Sequence, residues 1–120
     1  MKPSDLNRIQ HIVRYCDEIA ETISRFGSEE ESFFADKDYR KSIALSLLEI
    51  GELAKGLSSE FRTDTKEMHW NLIIGMRNTV AHQYSKIELD TLFNTAGIEV
   101  PQLKAFCEAV LEEHATPKLP

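Results

Sequence analysis

The sequence predicts an all-α protein built as an antiparallel bundle of four to five helices. Three observations carry that reading. No proline lies between Pro3 and Pro101, so nothing along that stretch removes a backbone donor or breaks a helix outright. Apolar residues recur at spacings of three and four over most of the chain, with no sustained alternation of the kind a strand needs and no internal repeat. The links between the periodic stretches are short, which makes successive helices antiparallel neighbours around one core. A chain of 120 residues has room for one such core and not for two. A single domain over residues 1–114 is therefore expected.

Leu6, Ile9, Ile12, Cys16, Ile19 and Ile23 form the stripe of the first predicted helix, with Ser4 as its candidate cap and Gly27 as its stop. Residues 28–36 read as a connector with at most one helical turn, capped by the pair Ser28-x-x-Glu31. Asp36 then offers a cap for a second helix, whose stripe is Tyr39, Ile43, Leu47, Ile50, Ala54 and Leu57. Asp64-x-x-Glu67 has the form of a capping box and predicts a third helix with His69, Leu72, Ile73, Met76 and Val80 on its apolar side. A further box, Ser85-x-x-Glu88, predicts a helix start so soon afterwards that the third helix should break near residues 81–85. Leu89, Leu92, Phe93 and Ala96 continue the pattern until Gly97 and Pro101 interrupt it, leaving either a kinked C-terminal helix or two short ones. Residues 115–120, with two prolines and no stripe, are expected to be a frayed tail.

Fourteen Lys+Arg stand against twenty Asp+Glu, a formal charge of −6, which argues against a general nucleic-acid coat or a membrane-surface binder. The longest run without polar side chains, Leu72 to Met76, is five residues, where a spanning helix needs about 20. The N-terminus reaches no apolar signal region, so a cytoplasmic location without membrane contact is expected. Cys16 and Cys107 sit at apolar helix positions and read as core thiols of a reducing compartment rather than a disulfide framework. Glu29, Glu30 and Glu31 read as solvated surface, and Phe61 and Trp70 as packing residues rather than platforms for bases.

Much chemistry is missing from the chain. Gly51 and Gly56 are not followed by the lysine of a phosphate-cradling loop and read instead as sites of close helix packing. His11, His69, His82 and His114 never stand three or four apart, and neither cysteine has a metal-ligand neighbour. No serine-nucleophile elbow is present, and there is no reason to expect a cofactor or a metal. One segment does carry chemistry: Gly75-Met-Arg-Asn-Thr-Val-Ala-His-Gln-Tyr84 places Arg77, His82 and Tyr84 at a helix end. A neutral imidazole can take a proton from a ribose 2′-hydroxyl, and a guanidinium can stabilise charge building on the attacked phosphate. On an unbroken helix, however, five positions turn the side chain by about 140°. Arg77 and His82 converge only if the helix ends between them or if two copies face each other. Asn78, four residues before His82, could orient its ring. The plain alternative is that Arg77 pairs with an acidic neighbour and His82 caps the helix end; Glu49 and Glu52, flanking Gly51, are candidates to line the cleft, with solvated helix residues as the preferred reading.

Arg77-Asn78-Thr79-Val80-Ala81-His82-Gln83-Tyr84 resembles the Arg-x-x-x-x-His-x-Tyr motif of HepT-type toxins in the HEPN superfamily. The segment Leu48-Glu49-Ile50-Gly51-Glu52-Leu53-Ala54-Lys55 and the run-in Trp70-Asn71 are also similar to that family, whose helix order residues 5–113 follow. The resemblance implies a HEPN-like all-helical homodimer with the motifs of both subunits lining a shared cleft. It further implies a metal-independent endoribonuclease, the toxin of a HepT/MntA-type toxin-antitoxin system, with Arg77 and His82 catalytic and Asn78 supporting. Tyr84 would be the residue to which a cognate minimal nucleotidyltransferase adds AMP, silencing the toxin. Against this stands a non-catalytic helical dimer that binds a nucleotidyltransferase or a nucleotide. The charge distribution leaves room for RNA: residues 40–86 hold seven Lys+Arg and five Asp+Glu, net +2, so the acidity comes from the flanks. A small cationic cleft with a shallow salt dependence is the expectation.

Overall fold

The computed structural model describes residues 1–115; of the expected tail, residues 116–120 lie outside the described residues. Seven α-helices follow one another: α1 (Pro3–Phe26), α2 (Glu30–Ala35), α3 (Lys37–Lys55), α4 (Ser59–Asp64), α5 (Trp70–Gln83), α6 (Leu89–Asn94) and α7 (Val100–Glu113). A 3-10 turn, Tyr84–Lys86, follows α5, and a π-helical turn, Thr95–Glu99, joins α6 to α7. The described chain is thus all-helical, as expected, with more short helices than the stripes alone indicated.

Both ends of α1 have local causes. Pro3 takes the first helical turn, where its missing N–H is no loss. Lys2 is the cap residue, with no side-chain hydrogen bond, and Ser4 lies inside the helix. Gly27 ends α1 at φ 100°, a conformation that only glycine adopts without strain, and its N–H donates to Ile23 O at 2.8 Å. The expected cap of α3 also forms: Asp36 Oδ1 accepts from Asp38 N at 2.9 Å and from Tyr39 N at 3.3 Å.

Three expected boundaries are corrected. Glu29, not Ser28, precedes α2, without a side-chain cap. Asp64 closes the short helix α4 rather than opening a longer one, and α5 starts only at Trp70, with His69 outside its apolar stripe. The cap that operates here is Ser58, whose Oγ accepts from Phe61 N at 3.1 Å. The buried Asp5 of α1 holds that cap, accepting from Ser58 N at 2.8 Å and from Ser58 Oγ at 2.6 Å. Ser85 likewise caps nothing; it lies in the 3-10 turn, and Glu88 precedes α6. Around Gly97 the chain keeps helical dihedrals throughout, so the interruption is a π turn within a continuing helix. A π turn shifts the donor pattern just where Pro101 lacks an N–H.

The core forms where α1 packs on α3, α3 on α5 and α1 on α7. Tyr39 Oη donates to Gly27 O at 3.0 Å, tying the start of α3 to the end of α1, while Arg8 reaches Leu53 O near the end of α3. The two helices are therefore antiparallel. Phe33, Tyr39 and Phe93 fill one end of the core: Phe33 meets Tyr39 edge-on at 5.0 Å and lies 5.4 Å from Phe93. Trp70 fills the other, between Phe61 and Phe106 at 6.0 Å each, with Nε1 donating to Thr65 Oγ1 at 3.0 Å. Phe61 and Trp70 are packing residues, as expected. Cys16 and Cys107 are free and buried; burial pushes the Cys16 thiol up to about 12 and raises Cys107 as well. Glu29, Glu30 and Glu31 are exposed. Among the described residues no helix is long and apolar enough to cross a membrane.

Candidate active site

Helix α5 carries every residue of the motif except Tyr84. It is held by buried Trp70 at its start and buried Val80 near its end. The α-helix ends at Gln83, within the break expected at residues 81–85, and Tyr84 opens the 3-10 turn; that end falls after His82, so Arg77 and His82 stay on one continuous helix. Thr79-Val80-Ala81-His82 contains no helix breaker, and with Ser85 not acting as a cap nothing competes for the chain there. Arg77 and His82 of one chain consequently point about 140° apart.

The two side chains have different surroundings. Arg77 is half-buried on the side facing α3, where the two helices come closest at Gly51. A Cβ on Gly51 would lie 2.1 Å from Arg77 Cβ and 3.3 Å from Arg77 Cα. The expectation that Gly51 allows close packing is thus met, and the residue it admits is the motif arginine. Glu52 Oε1 forms an ion pair with Arg77 Nε. The Nε–H does not align on that oxygen, so this buried atom makes no hydrogen bond. Arg77 Nη1 donates to Asn78 Oδ1 at 2.9 Å. Asn78 therefore braces the arginine; among the described residues it makes no hydrogen bond to His82.

His82 is exposed on the last turn of α5, and Tyr84 is half-buried two residues on. His82 shares its face of α5 with Leu72, Gly75 and Thr79, spaced three, four and three residues apart. Among the described residues nothing covers that face: Leu72 is 72% exposed, and a Cβ on Gly75 would meet nothing within 4 Å. The cleft at the start of α5, lined by Arg62, Lys66 and His69, includes no motif residue, and neither does the apolar cleft between α1, α6 and α7. Among the described residues no group of three His, Cys, Asp or Glu is placed to hold a metal.

The sequence singled out Arg77, Asn78, His82 and Tyr84; the structure brings Arg77 and Asn78 together and leaves His82 apart from them. Sequence reasoning left Glu52 as a solvated residue. The signal that could have found it is Gly51 itself, since a glycine inside a helix is unfavourable by roughly 0.5–1 kcal/mol relative to alanine and usually marks a close approach.

Comparison with known proteins gives this arrangement a context. A candidate RNase of Caldanaerobacter subterraneus subsp. tengcongensis is 29% identical over 105 residues, covering 88% of this chain and 92% of its own. A candidate RNase of Methanocaldococcus jannaschii is 26% identical over 102 residues, 85% of this chain and 83% of its own. The probable ribonuclease HepT of Thermococcus cleftensis is 30% identical over 95 residues, 75% of this chain and 86% of its own. No solved structure matches. The family described as ribonuclease HepT-like matches residues 12–110, and the chain belongs to that HepT-like ribonuclease family.

Proposed function

We propose that this chain is a metal-independent endoribonuclease that works as a homodimer and serves as the toxin of a HepT/MntA-type toxin-antitoxin pair. The observation that carries the reading is α5: a half-buried arginine braced by Asn78 on the side facing α3, and, five residues on, an exposed histidine on the open side of the same helix. His82 accepts the proton of a ribose 2′-hydroxyl, and the freed oxygen attacks the adjacent phosphorus. The bond to the 5′-oxygen breaks, and that oxygen takes a proton from water and leaves as a 5′-hydroxyl, giving a 2′,3′-cyclic phosphate, while His82 returns its proton to solvent. Arg77 stabilises the charge gathering on the non-bridging oxygens, and Asn78 supports it. A second copy supplies what a single α5 lacks, since Arg77 and His82 of one chain diverge; the uncovered Leu72 and Gly75 beside His82 are compatible with such a partner.

The test is cleavage of cellular RNA by the wild type, Arg77→Ala and His82→Ala. Each substitution is expected to lower the rate by roughly 10²–10⁴-fold. Equal cleavage by all three, or none by the unmodified wild type, overturns the reading.

Tyr84 is proposed as the acceptor of AMP from a cognate minimal nucleotidyltransferase antitoxin. Its phenolic oxygen attacks the α-phosphorus of ATP, pyrophosphate leaves and the phenolic proton passes to solvent. The adduct sets a phosphate charge two residues from His82, where it repels an incoming RNA phosphate. Tyr39 is a poor acceptor, being 1% exposed with its hydroxyl bonded to Gly27 O. Mass spectrometry after reaction with the partner and ATP is expected to place AMP on Tyr84, and AMP on Tyr15 or Tyr39 instead refutes the assignment.

The Arg77–Glu52 ion pair favours a second reading, in which Arg77 is structural and the chain is a non-catalytic dimer that binds a nucleotidyltransferase or a nucleotide. Tight co-purification with that partner, together with no cleavage by the chain alone, would establish it.

A further inference from the structure

Two consecutive residues of α3 act on one side chain of α5. Gly51 lets the helices approach until the stem of Arg77 has no room to shift toward α3: a Cβ on residue 51 would lie 2.8 Å from Arg77 Cγ as well as 2.1 Å from its Cβ. Glu52 then meets the same arginine at Nε. Of the two glutamates flanking Gly51 only this one reaches it, because Glu49 lines a separate cleft with Tyr15, Glu18 and Arg25.

A guanidinium has five N–H donors in a rigid fork. In Arg77 the Nε–H lies beside Glu52, and Nη1 gives one hydrogen to Asn78 Oδ1. One hydrogen on Nη1 and both on Nη2 remain, along the outer edge of the fork, the edge that pairs with two oxygens of a phosphate at once. The ion pair is partly exposed, at 21% for Arg77 and 45% for Glu52, and a pair of that kind contributes little to stability. Its effect lies in orientation. Arg77 Nε is buried and makes no hydrogen bond among the described residues, so it is the charge of the Glu52 carboxylate beside it that holds the fork from turning.

From this geometry we infer that Glu52 is a positioning residue for the ribonuclease reaction: with Gly51 behind the stem and Asn78 at Nη1, it fixes the outer edge of the Arg77 guanidinium toward the scissile phosphate. The inference rests on the ribonuclease function proposed above. It predicts that the negative charge of Glu52 is what Arg77 needs, since the contact is an ion pair without an aligned hydrogen bond.

The experiment compares Glu52→Gln and Glu52→Ala with the wild type on a synthetic RNA oligonucleotide, with melting temperatures measured in parallel. Glu52→Gln keeps the shape of the side chain but removes its charge, and is expected to lose kcat nearly as far as Glu52→Ala. Glu52→Ala is expected to lose about 10- to 100-fold in kcat, the size of effect that follows misplacement of a reacting group, with KM and melting temperature nearly unchanged. The Arg77 Nε–H signal in a nitrogen-15 spectrum should exchange faster with solvent in Glu52→Ala than in the wild type, whether or not RNA is present. An alanine variant with wild-type kcat overturns the inference alone. So does a glutamine variant with wild-type kcat, or a loss that follows melting temperature instead of kcat. A wild type that leaves the oligonucleotide intact overturns the ribonuclease reading, and this inference with it.

Discussion

Replacing Gly51 with alanine should destabilise the fold by about 1–3 kcal/mol, as overpacking of a tight contact does, and should cut RNA cleavage by about 10- to 100-fold through displacement of Arg77. Helix propensity alone predicts the opposite sign, because alanine is favoured over glycine in a helix interior by about 1 kcal/mol. The contact decides between them. The added methyl would stand 2.1 Å from Arg77 Cβ and 3.3 Å from Arg77 Cα, and neither atom can move without moving α5. Gly56→Ala is the control. There the nearest atoms belong to the guanidinium of Arg8, at 2.2 Å, the far end of a flexible side chain held among the described residues only by a long 3.5 Å bond to Leu53 O, and residue 56 has a negative φ that alanine adopts without strain. It should therefore stay within about 0.5 kcal/mol of the wild type. Urea midpoints for both variants, with cleavage rates alongside, check the pair; equal midpoints would show that α3 and α5 can part at little cost.

The same contact marks the limit of what the sequence revealed. The stripes of α1 and α3, the stop at Gly27 and the cap at Asp36 were legible because each is local: a helix period, a left-handed glycine, a carboxylate beside free N–H groups. The three capping boxes expected at Ser28, Asp64 and Ser85 were also local, and none of them forms. What separates them from the side-chain caps that do form is the residue three positions on. After Asp36 and Ser58 it is a buried aromatic, Tyr39 or Phe61, whose N–H bonds to the cap. After Ser28, Asp64 and Ser85 it is an exposed glutamate, Glu31, Glu67 or Glu88. A helix start in this chain is fixed by an anchor in the core, and the hydrogen bonds of the cap follow from it.

The candidate site divides along the same line. Arg77, Asn78, His82 and Tyr84 were legible because they stand close together in the chain, within a pattern that resembles a known family. The partnership of Gly51 and Glu52 with Arg77 was not, because it depends on how α3 crosses α5, and no spacing rule relates residues 25 or 26 positions apart. The expected convergence of Arg77 and His82 failed for another reason. Within one chain it required a helix end near Ala81, and the chain offers none before Gln83; the other route to convergence, two copies facing each other, is untouched by this.

That divergence has a direct consequence for a homodimer. If Arg77 of one chain works with His82 of the partner subunit, then Arg77→Ala and His82→Ala, each inactive alone, should complement one another when the chains are unfolded together and refolded. An Arg77→Ala chain still supplies His82, and a His82→Ala chain still supplies Arg77. The mixed dimer therefore contains one complete pair across its interface and one pair lacking both groups. Random pairing of equal amounts makes half of the dimers mixed, so recovery should approach about a quarter of the wild-type rate in a two-fold symmetric dimer. Pairs drawn from within one chain would give no recovery, since each chain then lacks one of its own two groups. The continuous helix from Trp70 to Gln83 favours the first outcome, because a phosphate held at the α3 side of α5 by Arg77 lies about 140° around the helix from the same chain's His82. A flat baseline on mixing, with dimers present by sedimentation, would require α5 to unwind beyond Arg77 when RNA binds.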